Sequence, residues 1–188
     1  MMAIVRGNLA IEGLSGLLGD QLIFKRDRMG RTIVSRKPNF ENRVFSEDQK
    51  QHQSRFQEAA AYAKAAAKTE PIYAELAAGT AKSAYNVAVG DWFNPPEVGE
   101  IDVRGYTGQA GETIRAKVTD DVRVTQVKIV ISAGDDMVVE KGEMSLEQGL
   151  WYSYTTTVNC PEGLVKAEVI GLDLPGHEGS TATTLTVG

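Results

Sequence analysis

The spacing of hydrophobic residues changes along the chain. Between about residues 47 and 89, apolar side chains recur at helical intervals, whereas from Glu100 onward apolar and polar residues alternate in short runs. Intervals of three and four residues place side chains on one face of a helix, and strict alternation places them on one face of a strand. The pattern therefore predicts a helical segment followed by a β-rich segment, which together make an α+β chain.

The β-rich segment contains seven candidate strands. Each is a short run of alternating or β-branched residues, and glycine, proline and aspartate separate the runs. Seven such strands within one half of a chain are typical of a seven-stranded β-sandwich. The runs are Ile101–Arg104, Thr113–Val118, Val124–Ile131, Met137–Glu140, Trp151–Val158, Leu164–Ile170 and Thr181–Val187.

A β-hairpin is predicted near the N-terminus. The β-prone runs Leu22–Arg26 and Arg31–Arg36 flank a turn that ends at Gly30, and the glycine-rich stretch before them, Gly13–Gly19, permits tight turns. Two strands alone bury too little apolar surface to be stable in water. The hairpin must therefore pack on the following helices, on the sandwich or on a neighbouring subunit.

Three helices are predicted between the hairpin and the sandwich. Ser46 and Gln49 have the spacing of a capping box, so the first helix is expected from about Glu47 to Ala67. A second helix should begin near Pro71 and end at Gly79. A third should be capped by Thr80 and reach about Val89. The first two helices are rich in alanine, which predicts a closely packed helical hairpin.

Two domains follow from these elements. We expect a hairpin arm and helical assembly domain over residues 1–94 and the β-sandwich over residues 95–188. The run Asp91–Pro96 is interpreted as the linker between them. The fold class is thus α+β, with an N-terminal β-hairpin and helical hairpin before a seven-stranded sandwich.

Charge is distributed unevenly over the 188 residues. Residues 1–44 carry eight basic and four acidic side chains, a net charge of +4, whereas residues 95–188 carry seven basic and fifteen acidic side chains, a net charge of −8. Opposite charges on two halves favour either head-to-tail contact between identical copies or a polyanion-binding arm. The overall net charge of −5 argues against a dedicated nucleic-acid binder.

Membrane and export signals are not evident in the sequence. No apolar run approaches the ~20 residues of a membrane-spanning helix, and the first residues lack the basic and apolar regions of a secretory signal peptide. We therefore expect synthesis in the cytoplasm and no membrane partner. Membership of a virion or of another particle released from the cell is compatible with this expectation.

Three motifs in the β-rich half resemble a known type of module. They are Ala116–Asp121, Gly149–Tyr154 with its Gly-x-Trp-Tyr-x-Tyr pattern, and Ile170–Gly176. Together they are similar to bacterial immunoglobulin-like and fibronectin type III-like modules, except that Gly171 and His177 replace the usual alanine and asparagine. The resemblance implies an immunoglobulin-like fold for the sandwich and says nothing about its ligand.

A second resemblance covers the first half of the chain. The stretch Gly13–Gly19, the hairpin, the turn Arg36–Pro38 and the helical run Gln49–Phe56 are similar to an uncharacterised bacterial family. Its members begin with Gly-x-Ser-Gly-x-x-Gly and often end in sandwich modules. The resemblance implies no activity.

Residues for catalysis are sparse. Cys160 is the single cysteine, and His52 and His177 are the two histidines, so no disulfide, zinc site or Ser-His-Asp triad can be argued. Neither a nucleophile elbow nor a phosphate-binding loop is present. We therefore expect a protein that is not an enzyme and needs no cofactor.

Acidic residues in the turns of the sandwich are weak calcium candidates. Asp120, Asp121 and Asp173 could supply the oxygen ligands that Ca²⁺ prefers. The alternative is turn formation, because aspartate readily accepts hydrogen bonds from its own backbone in turns. Turn formation is the favoured interpretation of these residues.

The leading hypothesis is a structural protein that self-assembles into a repetitive particle or filament, such as a virion, tail-like particle or filament subunit. The N-terminal half would make the subunit contacts, and the sandwich would be displayed outward. This hypothesis predicts a homo-oligomer or larger assembly. The predicted contact residues lie on the hairpin and are Leu22, Phe24, Arg26, Arg28, Arg31, Val34 and Arg36.

Two alternatives remain open. The sandwich could be an adhesion module that binds a glycan or a protein, in which case Trp92, Trp151 and Tyr152 are the expected contact residues. The hairpin could instead bind nucleic acid through its basic side chains, since β-ribbons enter nucleic-acid grooves. We regard nucleic acid as the less favoured partner because the chain is acidic overall.

Overall fold

A computed structural model of the chain describes residues 2–4, 11, 13–39, 44–134 and 137–188. Within these residues the chain forms three helices and three antiparallel four-stranded sheets. It divides into two compact units, Met1–Val87 and Ala88–Gly188. The fold is thus α+β and dominated by β-structure, as the hydrophobic pattern predicted.

The first unit contains a small sheet built around the predicted hairpin. Strands β1 (Met2–Ile4), β2 (Gly16–Leu18), β3 (Leu22–Arg26) and β4 (Thr32–Arg36) pair in the order β1-β4-β3-β2. The hairpin β3–β4 lies where the sequence indicated, but two further strands extend it into a four-stranded sheet. Both added strands are only three residues long, which is too short for an alternating pattern to reveal them.

The turn of the hairpin is held by an aspartate and a glycine. Asp27 Oδ1 accepts hydrogen bonds from the backbone N–H groups of Met29 and Arg31, each at 2.9 Å. Gly30 has a φ of 77°, a conformation that residues with a side chain rarely adopt. These two residues fix the register in which β4 returns along β3.

The first helix, α1 (Glu47–Thr69), begins with the predicted capping box. The Gln49 N–H donates to Ser46 Oγ at 3.3 Å, and the Ser46 N–H donates to Gln49 Oε1 at 3.1 Å. The buried residues of α1, Ala59, Ala63 and Ala66, lie in its second half. Every residue from 47 to 58 is exposed.

The two later helices are α2 (Pro71–Ala77) and α3 (Ala84–Phe93). The predicted cap of the third helix was wrong: Ser83 Oγ accepts the Asn86 N–H at 3.1 Å, whereas the Thr80 hydroxyl donates back to the Ala77 carbonyl at 2.8 Å. Residues 91–93, interpreted from the sequence as linker, form the last turn of α3. Aromatic residues next to prolines concealed this helical end.

The second unit is a sandwich-like pair of sheets with eight strands. One sheet has the order β5-β6-β10-β9 and the other β12-β11-β7-β8, and all pairings are antiparallel. The strands are β5 (Glu97–Asp102), β6 (Thr113–Thr119), β7 (Gln126–Ala133), β8 (Met137–Glu143), β9 (Ser145–Gln148), β10 (Trp151–Thr155), β11 (Gly163–Leu172) and β12 (Glu178–Val187). Strand β9 was not predicted, because all four of its residues are exposed and it lacks an apolar face.

The core of this unit lies between the two sheets. Alternate residues of β6, β7 and β11 point into it, among them the fully buried Ile114, Ile129 and Val169. Burying one such side chain contributes roughly 1.5–3 kcal/mol to stability. Burial of these residues fixes which side chains of β6 face outward, and those form part of the candidate site.

A buried carboxylate links strand β8 to strand β10 and to the loop that follows β10. Glu140 accepts hydrogen bonds from the Tyr154 hydroxyl at 2.7 Å and from the Thr157 hydroxyl and N–H at 2.6 and 2.8 Å. Burial alone would raise the pKa of Glu140, but these hydrogen bonds outweigh it and lower the pKa below its usual value. Gly142 leaves the space that the Tyr154 ring occupies.

Strands β5 and β12, at corresponding edges of the two sheets, approach each other closely. The Thr181 hydroxyl donates to the Val98 carbonyl at 2.8 Å. A Cβ atom on Gly179 would clash with the Pro96 carbonyl group. Glycine at position 179 therefore permits this approach.

Candidate functional site

The outer face of the sheet β5-β6-β10-β9 carries a set of polar side chains around one tryptophan. Along β6, the buried residues Ile114, Ala116 and Val118 alternate with the exposed Arg115 and Lys117. Alternation places the two basic residues on the face that is turned away from the core. The burial of their neighbours fixes which face they occupy.

The register of the sheet determines what surrounds these basic residues. Trp151 on β10 pairs with Lys117 on β6 and with Gln148 on β9, and Arg115 pairs with Asp102 on β5. Side chains of directly opposed residues share a face and contact each other. The sheet thus brings one aromatic, two basic, one acidic and one amide side chain together from four strands.

The turn between β9 and β10 positions Trp151. Gly149 has a φ of 62°, which closes the tight turn, and the Leu150 carbonyl accepts the Val118 N–H at 3.0 Å. A bulge follows between Trp151 and Tyr152 in the pairing with β9. Bulges re-aim side chains at sheet edges, and here Trp151 faces outward whereas Tyr152 packs against the core.

These residues line an open groove of about 550 Å³, which we call the Trp151 groove. Its volume lies within the range of small-molecule sites in proteins. The lining consists of charged, amide and aromatic side chains together with the β9–β10 turn. The lining residues are Glu100, Asp102, Arg104, Arg115, Lys117, Glu147, Gln148, Gly149, Leu150 and Trp151.

Two ion pairs fix the orientation of charged groups in the Trp151 groove. Arg104 donates to both Asp102 oxygens, from Nε at 2.9 Å and from Nη2 at 2.7 Å. Arg115 Nη2 donates to Glu147 Oε1 at 2.9 Å. The hydrogen bonds from Arg104 hold the pKa of Asp102 well below its usual range, so this carboxylate is charged at all physiological pH values.

An acidic cluster lies elsewhere in the second unit. One carboxylate oxygen each from Asp91, Asp120 and Asp121 lies within 4.8 Å of the other two. Asp120 Oδ1 already accepts the N–H groups of Val122 at 2.8 Å and Arg123 at 2.7 Å, as expected for turn formation.

Asp173, the third calcium candidate, lies outside this group of three. Its Oδ1 accepts the His177 N–H at 2.6 Å, and its Oδ2 lies 3.6 Å from His177 Nδ1. Burial, with a further contribution from the charge of Asp120, raises the pKa of Asp173 above its usual value. Sequence reasoning missed Asp91, because this residue was interpreted as part of a linker.

The other predicted ligand residues do not line the Trp151 groove. Trp92 lies in the last turn of α3, where its ring meets those of Phe93 and His177 edge to face at centroid distances of 5.0 and 4.9 Å. Tyr152 packs against the core, and burial raises its pKa. Of the three aromatic candidates, Trp151 alone is among the residues of the groove.

The predicted contact residues of the hairpin have different environments. Phe24 was predicted to contact another subunit. Its side chain is only 5% exposed, so it packs within the chain instead. Leu22 and Val34 are partly buried, whereas Arg26 and Arg36 are exposed. The hydrophobic members of the predicted set therefore contribute to packing inside the first unit, and the exposed members are basic.

Several basic side chains of the hairpin already have partners. Arg31 Nε pairs with Asp27 Oδ2 at 2.6 Å, and Lys37 pairs with Asp20. Arg28 Nη1 donates to the Lys82 carbonyl at 2.9 Å. The two ion pairs offset part of the positive charge that this region could offer to a nucleic acid.

No helix among the described residues is long and apolar enough to cross a membrane.

Comparisons with known proteins give distant structural likenesses only. No protein-family model matches the chain, and no curated protein matches its sequence. CopC from Methylosinus trichosporium OB3b is 12% identical, over 49% of this chain and 92% of its own, with a TM-score of 0.38. An engineered protein is 12% identical, over 56% of this chain and 27% of its own, with a TM-score of 0.38.

Proposed function

We propose that this chain is a non-enzymatic structural protein that self-assembles into a repetitive particle or filament, such as a virion, tail-like particle or filament subunit. The first unit makes the subunit contacts, and the sandwich is displayed outward. The observation that carries this proposal is the exposed Phe56 side chain in the first half of α1.

The first half of α1 is exposed in the part of the chain that the structure describes. All twelve residues from 47 to 58 are exposed, and the Phe56 side chain is 47% exposed. Helical segments of ~12 residues are marginal in water without tertiary packing. A neighbouring molecule that covers Phe56 would supply that packing.

An edge of the small sheet offers a second contact surface. Strand β2 ends the order β1-β4-β3-β2 and all its residues are exposed, with Leu17 and Leu18 each 55% exposed. Exposed edge strands readily pair with strands of other molecules. Strand β2 lacks the charged residues that usually protect such an edge, so it is suited to contact another subunit.

A second copy of the same chain is the occupant that the charges favour. Residues 1–44 have a net charge of +4 and residues 95–188 a net charge of −8. Opposite charges steer two copies toward head-to-tail contact. Repeated head-to-tail contact generates a filament or tube, or a ring where the rotation between successive copies closes the circle.

We also propose that the sandwich is immunoglobulin-like, as its motifs suggested. Strand order β5-β6-β10-β9 corresponds to strands A-B-E-D of an immunoglobulin constant-type domain, and β12-β11-β7 corresponds to G-F-C. Strand β8 adds a further strand next to C. An experimental structure of the protein tests this assignment, and a different sheet order would contradict it.

The assembly proposal is tested by a charge placed on α1. Phe56→Asp should reduce assembly in sedimentation velocity and remove ordered particles from negative-stain images, because it places a carboxylate in the apolar contact. The matched control is Leu164→Asp, since Leu164 is 60% exposed on the sandwich. This control should assemble like the unmodified protein.

Two outcomes contradict the proposal. One is an unmodified protein that stays monomeric at high concentration and low salt. The other is equal loss of assembly in both variants, which would show that the effect is not specific to α1. Leu17→Lys tests the β2 edge separately and should weaken assembly without changing helix content in circular dichroism.

A further inference from the structure

We propose that the Trp151 groove is a binding site for a neutral carbohydrate chain. This inference goes beyond the assembly function and does not rest on it. It concerns the outer face of the sheet β5-β6-β10-β9, whereas assembly is attributed to α1 and β2. The proposal combines an aromatic surface, fixed polar groups and a balanced charge.

The aromatic surface is supplied by Trp151. Its side chain lines the groove and is partly exposed, and the register places Lys117 on one side of it and Gln148 on the other. Tryptophan combines a broad apolar face with a polar N–H group. A pyranose ring has the complementary character, because its C–H groups form an apolar face and its hydroxyl groups project at the rim.

The polar groups around Trp151 are held in place before any ligand binds. Arg104 is fixed on Asp102 by two hydrogen bonds and Arg115 on Glu147 by one. The guanidinium and carboxylate groups retain further donor and acceptor positions after these pairs form. Prearranged donors and acceptors reduce the entropy lost on binding, and hydroxyl groups can use both kinds.

The charge of the groove favours a neutral ligand over a polyanion. Its lining includes three basic residues, Arg104, Arg115 and Lys117, and three acidic residues, Glu100, Asp102 and Glu147. A polyanion would meet the three carboxylates and would have to displace two ion pairs. A neutral chain of sugar units can bind beside both signs of charge, so it is the class of ligand that this surface suits.

The Trp151 groove is also open enough to hold several sugar units of a carbohydrate chain. It has a volume of about 550 Å³ and extends over β5, β6, β9 and β10. The ion pairs Arg104–Asp102 and Arg115–Glu147 lie on strands β5, β6 and β9 and in the loop after β5. An open groove of this kind admits the interior of an oligosaccharide, not only its end.

The test uses the full chain and fluorescence from the groove itself. The sequence contains two tryptophans, so Trp92→Phe leaves Trp151 as the reporter. Titration with cellopentaose, chitopentaose, maltopentaose and an array of neutral oligosaccharides should change this fluorescence for at least one sugar. A heparin pentasaccharide serves as the polyanion for comparison and should bind more weakly than that sugar.

Two substitutions distinguish the groove from other surfaces. Trp151→Ala should weaken binding of the sugar identified by at least about tenfold, equivalent to about 1.4 kcal/mol, as measured by isothermal titration calorimetry. Lys117→Ala removes an exposed side chain without affecting the core and should weaken binding as well. Lys141→Ala, an exposed lysine on the other sheet, is the matched control and should bind unchanged.

The outcomes that overturn the proposal are distinct from those that bear on assembly. Failure of every neutral sugar to bind, or binding of the heparin pentasaccharide alone, would overturn it. So would unchanged sugar binding in both Trp151→Ala and Lys117→Ala. Assembly of these two variants should remain normal, because neither residue lies in α1 or β2 and neither substitution removes an acidic side chain from the sandwich.

Discussion

Two aspartates of the sandwich experience opposite environments. Asp173 is fully buried, and one of its oxygens has no hydrogen-bond partner. Burial therefore raises its pKa. Asp102 lies at the surface in a bidentate pair with Arg104, and this pairing lowers its pKa. The same residue type thus opposes folding in one place at neutral pH and supports it in the other.

Replacing Asp173 with asparagine should stabilise the protein near pH 7. A carboxyl group with a raised folded pKa contributes most below its ordinary pKa of about 3.9, and this contribution is lost as the pH rises through the folded pKa. Asparagine stays neutral, so a gain on the order of 1 kcal/mol would raise Tm by about 2–4 °C. Thermal unfolding monitored by circular dichroism should show this gain shrinking toward pH 4.

Asp102→Asn is the control of opposite sign. The pKa of Asp102 is lowered in the fold, so its contribution is present above the ordinary pKa and is lost as the pH falls through the folded pKa. Asp102→Asn should therefore not raise Tm near pH 7. A higher Tm in Asp102→Asn, or a lower Tm in Asp173→Asn, would contradict this account.

Sequence reasoning identified one residue of the Trp151 groove but not its neighbours. Trp151 was found because a tryptophan in a strand of a sandwich suggests a sugar contact. Lys117 lies 34 residues and Gln148 three residues before Trp151. Nothing in the sequence marks either residue as functional, since their role depends on strand register. Register is a property of strand pairing, and neither local composition nor spacing along the chain encodes it directly.

At the scale of elements, glycines determine how closely strands approach. Gly179 on β12 faces the Pro96 carbonyl group, which leaves no room for a side chain. Gly99 on β5 is different, because a Cβ atom there would lie 3.6 Å from the Lys117 carbonyl oxygen, an ordinary contact. Substitutions at the two positions therefore distinguish the effect of close strand approach on stability from the general effect of replacing a glycine in a strand.

Gly179→Ala should destabilise the sandwich by about 1–3 kcal/mol, the usual cost of overpacking. The added methyl group would push β12 away from β5 and weaken the hydrogen bond between Thr181 and the Val98 carbonyl. Urea unfolding measures the change. Gly99→Ala is the matched control and should change the free energy of unfolding by much less. Equal effects of the two substitutions would contradict the role assigned to Gly179.

The elements were predictable where their hydrophobic pattern was strong. The hairpin strands and α1 lie within a few residues of the predicted positions, because alternating runs and a capping box mark them locally. Strand β9 and the end of α3 were missed for the opposite reason. Residues 145–148 have no buried face, and residues 91–93 are helical despite the prolines that follow them.

At the scale of the whole molecule, we expect the division of charge between the two ends of the sequence to promote the proposed association of copies. The basic N-terminal segment has a net charge of +4 and the acidic sandwich a net charge of −8, a difference of twelve charges. Attraction between such segments on different copies acts through solvent and is screened by salt. Apolar contact at Phe56 and Leu17 is not screened in this way.

Salt should therefore weaken self-assembly. Raising the ionic strength from about 0.01 M to about 1 M shortens the Debye length from about 30 Å to about 3 Å. Light scattering should show assembly at a lower protein concentration in the low-salt buffer. Assembly that strengthens with sodium chloride would indicate that apolar contact dominates and that the charge division has no role in association.

The space beside Gly142 has a consequence for how the sequence can evolve. The Tyr154 ring fills that space and its hydroxyl reaches Glu140, so the three positions depend on one another. A lineage that gains a side chain at position 142 must first lose the ring at position 154, and the carboxylate at position 140 then loses a donor. We expect these three positions to change together, in a fixed order, among descendants of this chain.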